Sequence, residues 1–217
     1  MAALPRDERG WIVPWFVVWK DGEPVFPAFD PQKWRRAVYR QSRRCWVCGE
    51  PLGRTLVFCI GPMCAINRIT SEPPCHLDCA TYAVMVCPFI VNPRMGRVPE
   101  AKVPGGKIIP PAGMHDDRNP GIMLLWPTED YRVIRMDNGP LLEIDAPTGS
   151  VQWWTLGRRA TPREAADAFA NGAVKLRMIA EAEDAAAVKE LNRLLGVARL
   201  LLPEPDLYLP ALVEAVA

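Results

Sequence analysis

All seven cysteines of the chain fall between residues 45 and 87, and one of its two histidines, His76, sits among them. Cys45 and Cys48, followed by Gly49, form a C-x-x-C-G turn. Two thiolates can converge there on one point while glycine takes the backbone conformation that a tight knuckle needs. His76 and Cys79 follow as H-x-x-C, separated from the knuckle by a stretch long enough for a hairpin to bring the second pair back to the first. Three thiolates and an imidazole at this spacing make a closed tetrahedral metal site. The donor set suits zinc in a structural role, stabilising a region too small to hold itself together by burial alone.

The expected ligands are Cys45, Cys48, His76 and Cys79. Cys75 competes with His76, but Cys75 to Cys79 leaves three intervening residues where ligand pairs in a first helical turn leave two. The plainer reading of the same residues is a set of buried free cysteines and a core histidine. Cys59, Cys64 and Cys87 have no matching fourth partner and read as small apolar core residues. An odd number of cysteines at ligand spacing fits a reducing compartment better than a disulfide framework, which points to the cytoplasm. The apolar run WIVPWFVVW near the N-terminus is interrupted by Pro14 and is too short to span a bilayer.

Along the chain, residues 11–19 read as a strand covered on both faces, with 25–29 returning as its hairpin partner and Pro27 keeping that partner near an edge. Asp30 and Pro31 start a helix expected to reach about residue 43 and to feed into the knuckle. Residues 54–60 read as a strand and 63–69 as its possible partner. Residues 75–86 read as a helix, placing His76 and Cys79 in its first turn. The proline-, glycine- and base-rich stretch 88–120 reads as a long loop. Short strands follow at 122–126, 131–136, 141–144 and 151–156, two of them joined by Asp137-Asn138-Gly139-Pro140. Thr161-Pro162-Arg163-Glu164 is a capping box, with a helix expected to end at Gly172. Further helices are expected over 173–182 and 184–202, with a short one from Leu209. The fold class is therefore α+β: an N-terminal β-hairpin and helix, a metal module, a small antiparallel sheet and C-terminal helices. The expected divisions are 1–90, a 91–120 linker and 121–217.

Enzymatic readings find little support. A catalytic zinc needs an open coordination position with a carboxylate or histidine beside it, and four protein ligands close the site. Glu50 reads as a turn residue and Asp78 as a charge near a helix N-terminus. The zinc-deaminase pattern lacks its upstream helical pair, and two histidines are too few for HNH-nuclease chemistry. His115-Asp116-Asp117 lies in a loop without a helix or strand to frame it. No phosphate-cradling glycine loop, nucleophile elbow or dinucleotide fingerprint occurs.

A formal net charge of +1 excludes a strongly basic whole-chain nucleic-acid binder, although residues 31–100 hold ten Lys/Arg against four Asp/Glu. Arg35, Arg36, Arg40, Arg43 and Arg44 are the candidate nucleic-acid contacts, aided by nearby tryptophans. The alternative is a solvated helix face over core tryptophans.

The order knuckle, hairpin, then helix with ligands at its start resembles the treble-clef zinc fold over residues 45–87. Beyond that module, CWVCGEPLG, GPMCAINR, EPPCHLDCA, CPF and WWTLGRRAT are similar to segments of uncharacterised phage, prophage and high-GC bacterial proteins. In such proteins the position of Cys75 need not be cysteine, which favours His76 as ligand. The resemblance implies no biochemical activity. The reading is a non-enzymatic, zinc-stabilised protein that binds another macromolecule, a protein in the first instance and nucleic acid as the alternative.

Overall fold

Pro14 divides the N-terminal apolar run. In the computed structural model, which describes residues 3–39, 41, 43–92, 119–137 and 139–204, the strand expected over 11–19 is reduced to an isolated bridge between Arg6 and Ile12 and the short strand β1 (Val17–Lys20). The two-sided cover expected for it is also missing, because Trp11 and Trp19 are exposed. β1 pairs antiparallel with β2 (Glu23–Phe29) through a turn in which Asp21 and Gly22 take φ of 52° and 85°. Left-handed residues of this kind give a two-residue turn a twist that matches the flanking strands.

Helix α1 (Pro31–Val38) starts as expected: the Asp30 carboxylate accepts from the Gln32 amide at 2.8 Å, and Pro31 supplies a preset φ. It ends earlier than residue 43. Tyr39 is already extended, the Arg43 carbonyl accepts from the Leu52 amide, and Arg44 bridges Pro51. Pairing to the far side of the knuckle thus replaces helical hydrogen bonding. Trp34, Ala37 and Val38 form the buried face of α1, and the Trp34 indole N–H donates to the Ser71 carbonyl at 2.9 Å.

Strand β3 (Leu56–Ile60) is followed by α2 (Pro62–Asn67), in place of the partner strand expected over 63–69. Gly61 and Pro62 initiate a helix rather than a hairpin, since proline at a first helical position costs no hydrogen bond. Arg68, at φ 59°, terminates α2 and leads into the two-residue strand β4 (Ile69–Thr70). Helix α3 (Leu77–Val86) and the single turn α4 (Pro88–Val91) complete this half. Asn119, buried, donates from its side-chain amide to the carbonyls of Ile90 (2.8 Å) and Asn92 (3.1 Å) and to that of Phe89. The chain on either side of residues 93–118 is thereby held together. Arg94, Arg97, Lys102, Lys107 and the His115-Asp116-Asp117 cluster lie outside the described residues, as does the helix expected from Leu209.

The four expected strands are present as β5 (Met123–Thr128), β6 (Tyr131–Met136), β7 (Gly139–Ile144) and β8 (Gln152–Thr155), with β9 (Arg158–Arg159) added. They form antiparallel sheets ordered β3-β5-β8-β9 and β4-β7-β6. Both sheets join strands from before and after the 91–120 stretch, and one core of Leu56, Phe58, Ile60, Leu124, Trp126, Leu142 and Ile144 spans it. That stretch is therefore a change of composition with paired strands and shared packing across it.

The Thr161 capping box opens α5 (Pro162–Glu183) with both reciprocal bonds made. Gly172 does not end it, and the expected helices 161–171 and 173–182 are one. A Cβ at Gly172 would lie 3.0 Å from the Pro62 Cβ and 3.2 Å from the Met63 amide nitrogen, so glycine serves close approach to α2. Asp184 then caps α6 (Ala185–Ala198), which closes in a 3-10 turn, Arg199–Leu201. Among the described residues, no helix is long and apolar enough to cross a membrane.

Candidate metal centre

The knuckle is built by its own backbone. The Gly49 amide donates to the Cys45 carbonyl and the Cys45 amide to the Glu50 carbonyl, both at 2.8 Å. Gly49 has φ +77°, and the Trp15 indole closes so tightly over it that a Cβ would lie 2.5 Å from the ring. Arg44 donates to the Gly49 carbonyl at 3.0 Å. The second ligand pair is placed by β3: Cys75 exchanges two backbone hydrogen bonds with Val57 (2.8 and 2.9 Å). This bridge takes the place of the expected hairpin partner. His76 is the N-cap of α3 and Cys79 lies in its first turn, so both point back toward the knuckle. The Trp46 amide donates to the Pro74 carbonyl at 3.0 Å and ties the two halves directly. Of the expected order of knuckle, hairpin and ligand-bearing helix, the knuckle and the helix are present, while α2 and β4 stand where the second hairpin strand was expected.

The ligand atoms of Cys45, Cys48, His76 and Cys79 all lie within 4.8 Å of one another. His76 Nδ1 is 3.4 Å from Cys48 Sγ and 3.9 Å from Cys79 Sγ. On the other side of the ring, Nε2 is 3.0 Å from the Pro51 carbonyl oxygen. A carbonyl only accepts, so Nε2 carries the proton and the Nδ1 lone pair faces the sulfurs, the arrangement a metal-ligating imidazole requires. The sulfurs are also prepared. The His76 amide donates to Cys45 Sγ at 3.4 Å, the Cys48 amide also donates to Cys45, and the Glu50 amide to Cys48. Amides aimed at sulfur favour thiolate over thiol.

The thiols of the cluster are shifted in opposite directions. Hydrogen bonds from the Cys75 and Cys79 thiols, with those amides, hold Cys45 far below the ordinary thiol range. The same contact with Cys45, followed by burial, pushes Cys75 and Cys79 up, and burial raises Cys48. Opposed shifts of this kind are expected when several thiols crowd one site. A divalent cation removes that conflict. Cys45 and Cys79 are buried and Cys48 and His76 half-buried, so the donor set fits a closed metal site.

The remaining candidates separate clearly. Cys75 touches the Cys45 thiol but is not among the four converging ligands. Cys59, Cys64 and Cys87 are not brought to the cluster; burial raises each thiol, Cys64 to about 11. Arg35 and Arg36 are exposed on α1, and Arg40 lies outside the described residues. Arg43 is largely buried, paired with Asp130 and seated 4.7 Å over the Tyr131 ring, while Tyr131 donates its hydroxyl proton to the Val38 carbonyl. With Arg44 bound to the knuckle, two of the five arginines expected to face a nucleic acid are engaged inside the protein. Sequence reasoning missed Arg43 and Pro51 as supports of the site. The pairing of Arg43 spans to residue 130, and no local pattern reports it.

The four residues thus form a Cys3His cluster that could hold a metal ion, set on an α+β scaffold. No family model, curated protein or solved structure matches the chain.

Proposed function

We propose that Cys45, Cys48, His76 and Cys79 hold one structural Zn2+ and that the protein acts by binding another macromolecule, a protein in the first instance. The observation that carries the zinc reading is the convergence of four donors with the imidazole tautomer fixed by Pro51. Three sulfurs and one nitrogen select a borderline-soft ion over magnesium or calcium, and four protein donors leave no position for a reacting water. Zinc here would join the N-terminal hairpin, which packs Phe16 against Trp46 at 4.6 Å, to β3 and α3. Its contribution is to the fold, and recognition falls to the surfaces around it. The sequence likeness suggests phage or host regulation as the setting. Support for a protein partner over nucleic acid comes from the inward use of Arg43 and Arg44, which leaves the basic surface of α1 shorter than its sequence suggests.

Two measurements test the reading. Metal analysis of the purified chain should find one zinc, removable by chelation with loss of folded signal, and a stable metal-free fold would contradict the structural role. Retention on single- and double-stranded DNA and RNA columns should be absent at physiological salt. Retention that falls steeply with salt and is lost in an Arg35→Glu/Arg36→Glu variant would replace the protein partner with nucleic acid.

A further inference from the structure

The N-terminal hairpin is joined to the rest of the protein at few places. Among the described residues, β1 and β2 form a two-stranded sheet that joins neither of the other two sheets. Val13, Val17 and Val25 are buried, yet they belong to neither of the two apolar cores, so residues 11–29 bury apolar side chains of their own. Leu4, Trp15, Phe16 and Phe29 do reach the main core. The last three of these end on the knuckle. The Trp15 ring closes over Gly49, Phe16 stacks on Trp46 with ring centres 4.6 Å apart, and Phe29 meets Trp46 edge-on at 5.9 Å. The Trp15 amide donates to the Val47 carbonyl at 2.7 Å. From α1 a single side chain, Lys33, donates to the carbonyls of Trp15 (2.7 Å) and Val17 (3.3 Å).

Trp46 and Val47 lie between the ligands Cys45 and Cys48, and Gly49 follows directly. Residues 46–49 are in neither helix nor strand. Ligation of Cys45 and Cys48 therefore fixes the shape of the surface on which the three rings of the hairpin sit. Hairpin docking and metal binding need the same loop geometry, so each favours the other by the same factor. The two larger sheets stand apart from this coupling, because the pairing of β5, β6 and β7 uses no ligand residue. A segment with few buried ties to the core opens at lower free energy than the core itself, so the part of the fold that depends on metal need not be the whole of it.

We infer that the N-terminal hairpin is a metal-controlled latch, seated on the knuckle while zinc is bound and released as a unit when the metal leaves. Release bares Trp46 together with Trp15, Phe16 and Phe29, so metal occupancy governs an aromatic surface. The inference rests on the zinc reading above. Hydrogen exchange of the full chain, zinc-loaded and after chelation, reads each segment separately. Chelation should speed exchange over residues 15–29 and 45–49 by about tenfold or more while β5, β6 and β7 keep their protection. Phe16→Ala should release residues 17–29 with zinc still bound and weaken zinc binding in return, whereas Phe26→Ala, at a 38% exposed position of β2, should do neither. Protection lost in β5, β6 and β7 together with the hairpin on chelation overturns the latch, and so does a hairpin whose exchange chelation leaves unchanged. Unchanged exchange and zinc affinity in Phe16→Ala overturn it too. A chain that binds no zinc overturns the zinc reading along with the latch, while any of the other contrary results from a zinc-bound chain overturns the latch alone.

Discussion

Replacing Gly49 by alanine should loosen the metal site without removing a ligand. Gly49 has φ +77°, and a Cβ there would stand 2.5–2.8 Å from three atoms of the Trp15 ring. The left-handed backbone alone costs an L-residue roughly 1–2 kcal/mol. Displacing the indole adds an overpacking penalty of about 1–3 kcal/mol, because Trp15 is itself held by its amide donating to the Val47 carbonyl at 2.7 Å and by Lys33 5.7 Å from the ring centre. The sum, about 2–5 kcal/mol, corresponds to a fall in the unfolding midpoint of about 4–20 °C for a chain of this size. Zinc affinity should fall with it, because the displaced segment carries both Cys45 and Cys48. Gly53 supplies the control: it lies in the same loop, has open space where a Cβ would go, and its φ is not left-handed. Gly53→Ala should stay within about 0.5 kcal/mol of the parent. The assays are thermal unfolding of the zinc-loaded protein and competition for zinc with a chromophoric chelator. Equal midpoints and equal zinc affinities for the two alanine variants would refute the reasoning.

Three further outcomes follow from particular contacts. Gly172→Ala should destabilise by about 1–2 kcal/mol although alanine is the better helix former, since the atoms its Cβ meets include backbone of α2 that cannot give way; a higher denaturation midpoint would contradict the close-packing reading. Removing the largely buried Arg43 guanidinium with Arg43→Met should lower the midpoint in urea, because Asp130 loses this ion pair, Tyr131 loses the cation over its ring and the loop into the knuckle is released; an unchanged midpoint would show the pair to be incidental. Glu164 is held at about 2, against 4.5 for a free carboxyl, by Arg158 and then by the Thr161 amide. Its folded value is depressed, so its stabilisation is complete above the unfolded value and is lost as pH falls from about 4.5 toward 2. The gap in thermal midpoint between the parent and Glu164→Gln should therefore be constant at neutral pH and close across that window. The carboxylate is more than a third exposed, so the stability difference behind that gap should be no more than about 1 kcal/mol.

The site was legible in the sequence because its determinants are local. A C-x-x-C-G knuckle and an H-x-x-C at a helix start fix two ligand pairs by spacing alone, and the structure brings those four residues together. The same holds for the capping box at Thr161 and the strands after residue 121, whose signals sit within a few residues. The misreadings fall where a distant contact decides. Gly172 looks like a helix stop until α2 is seen packed against it. Residues 63–69 alternate well enough for a strand, yet Gly61-Pro62 starts a helix, and β3 pairs instead with β5 and, at Val57, with Cys75. α1 stops early because Leu52 and Pro51 claim the backbone at Arg43 and Arg44. The change of composition at 91–120 looks like a linker, while the two sheets join strands from both sides of it.

The most direct test of the central claim is zinc-edge X-ray absorption on the full chain, with the metal counted in the same sample. The account predicts one zinc per chain bound by three sulfurs and one imidazole nitrogen. Absence of zinc would contradict it, and so would a shell of four sulfurs, in which Cys75 would replace His76 as the fourth ligand.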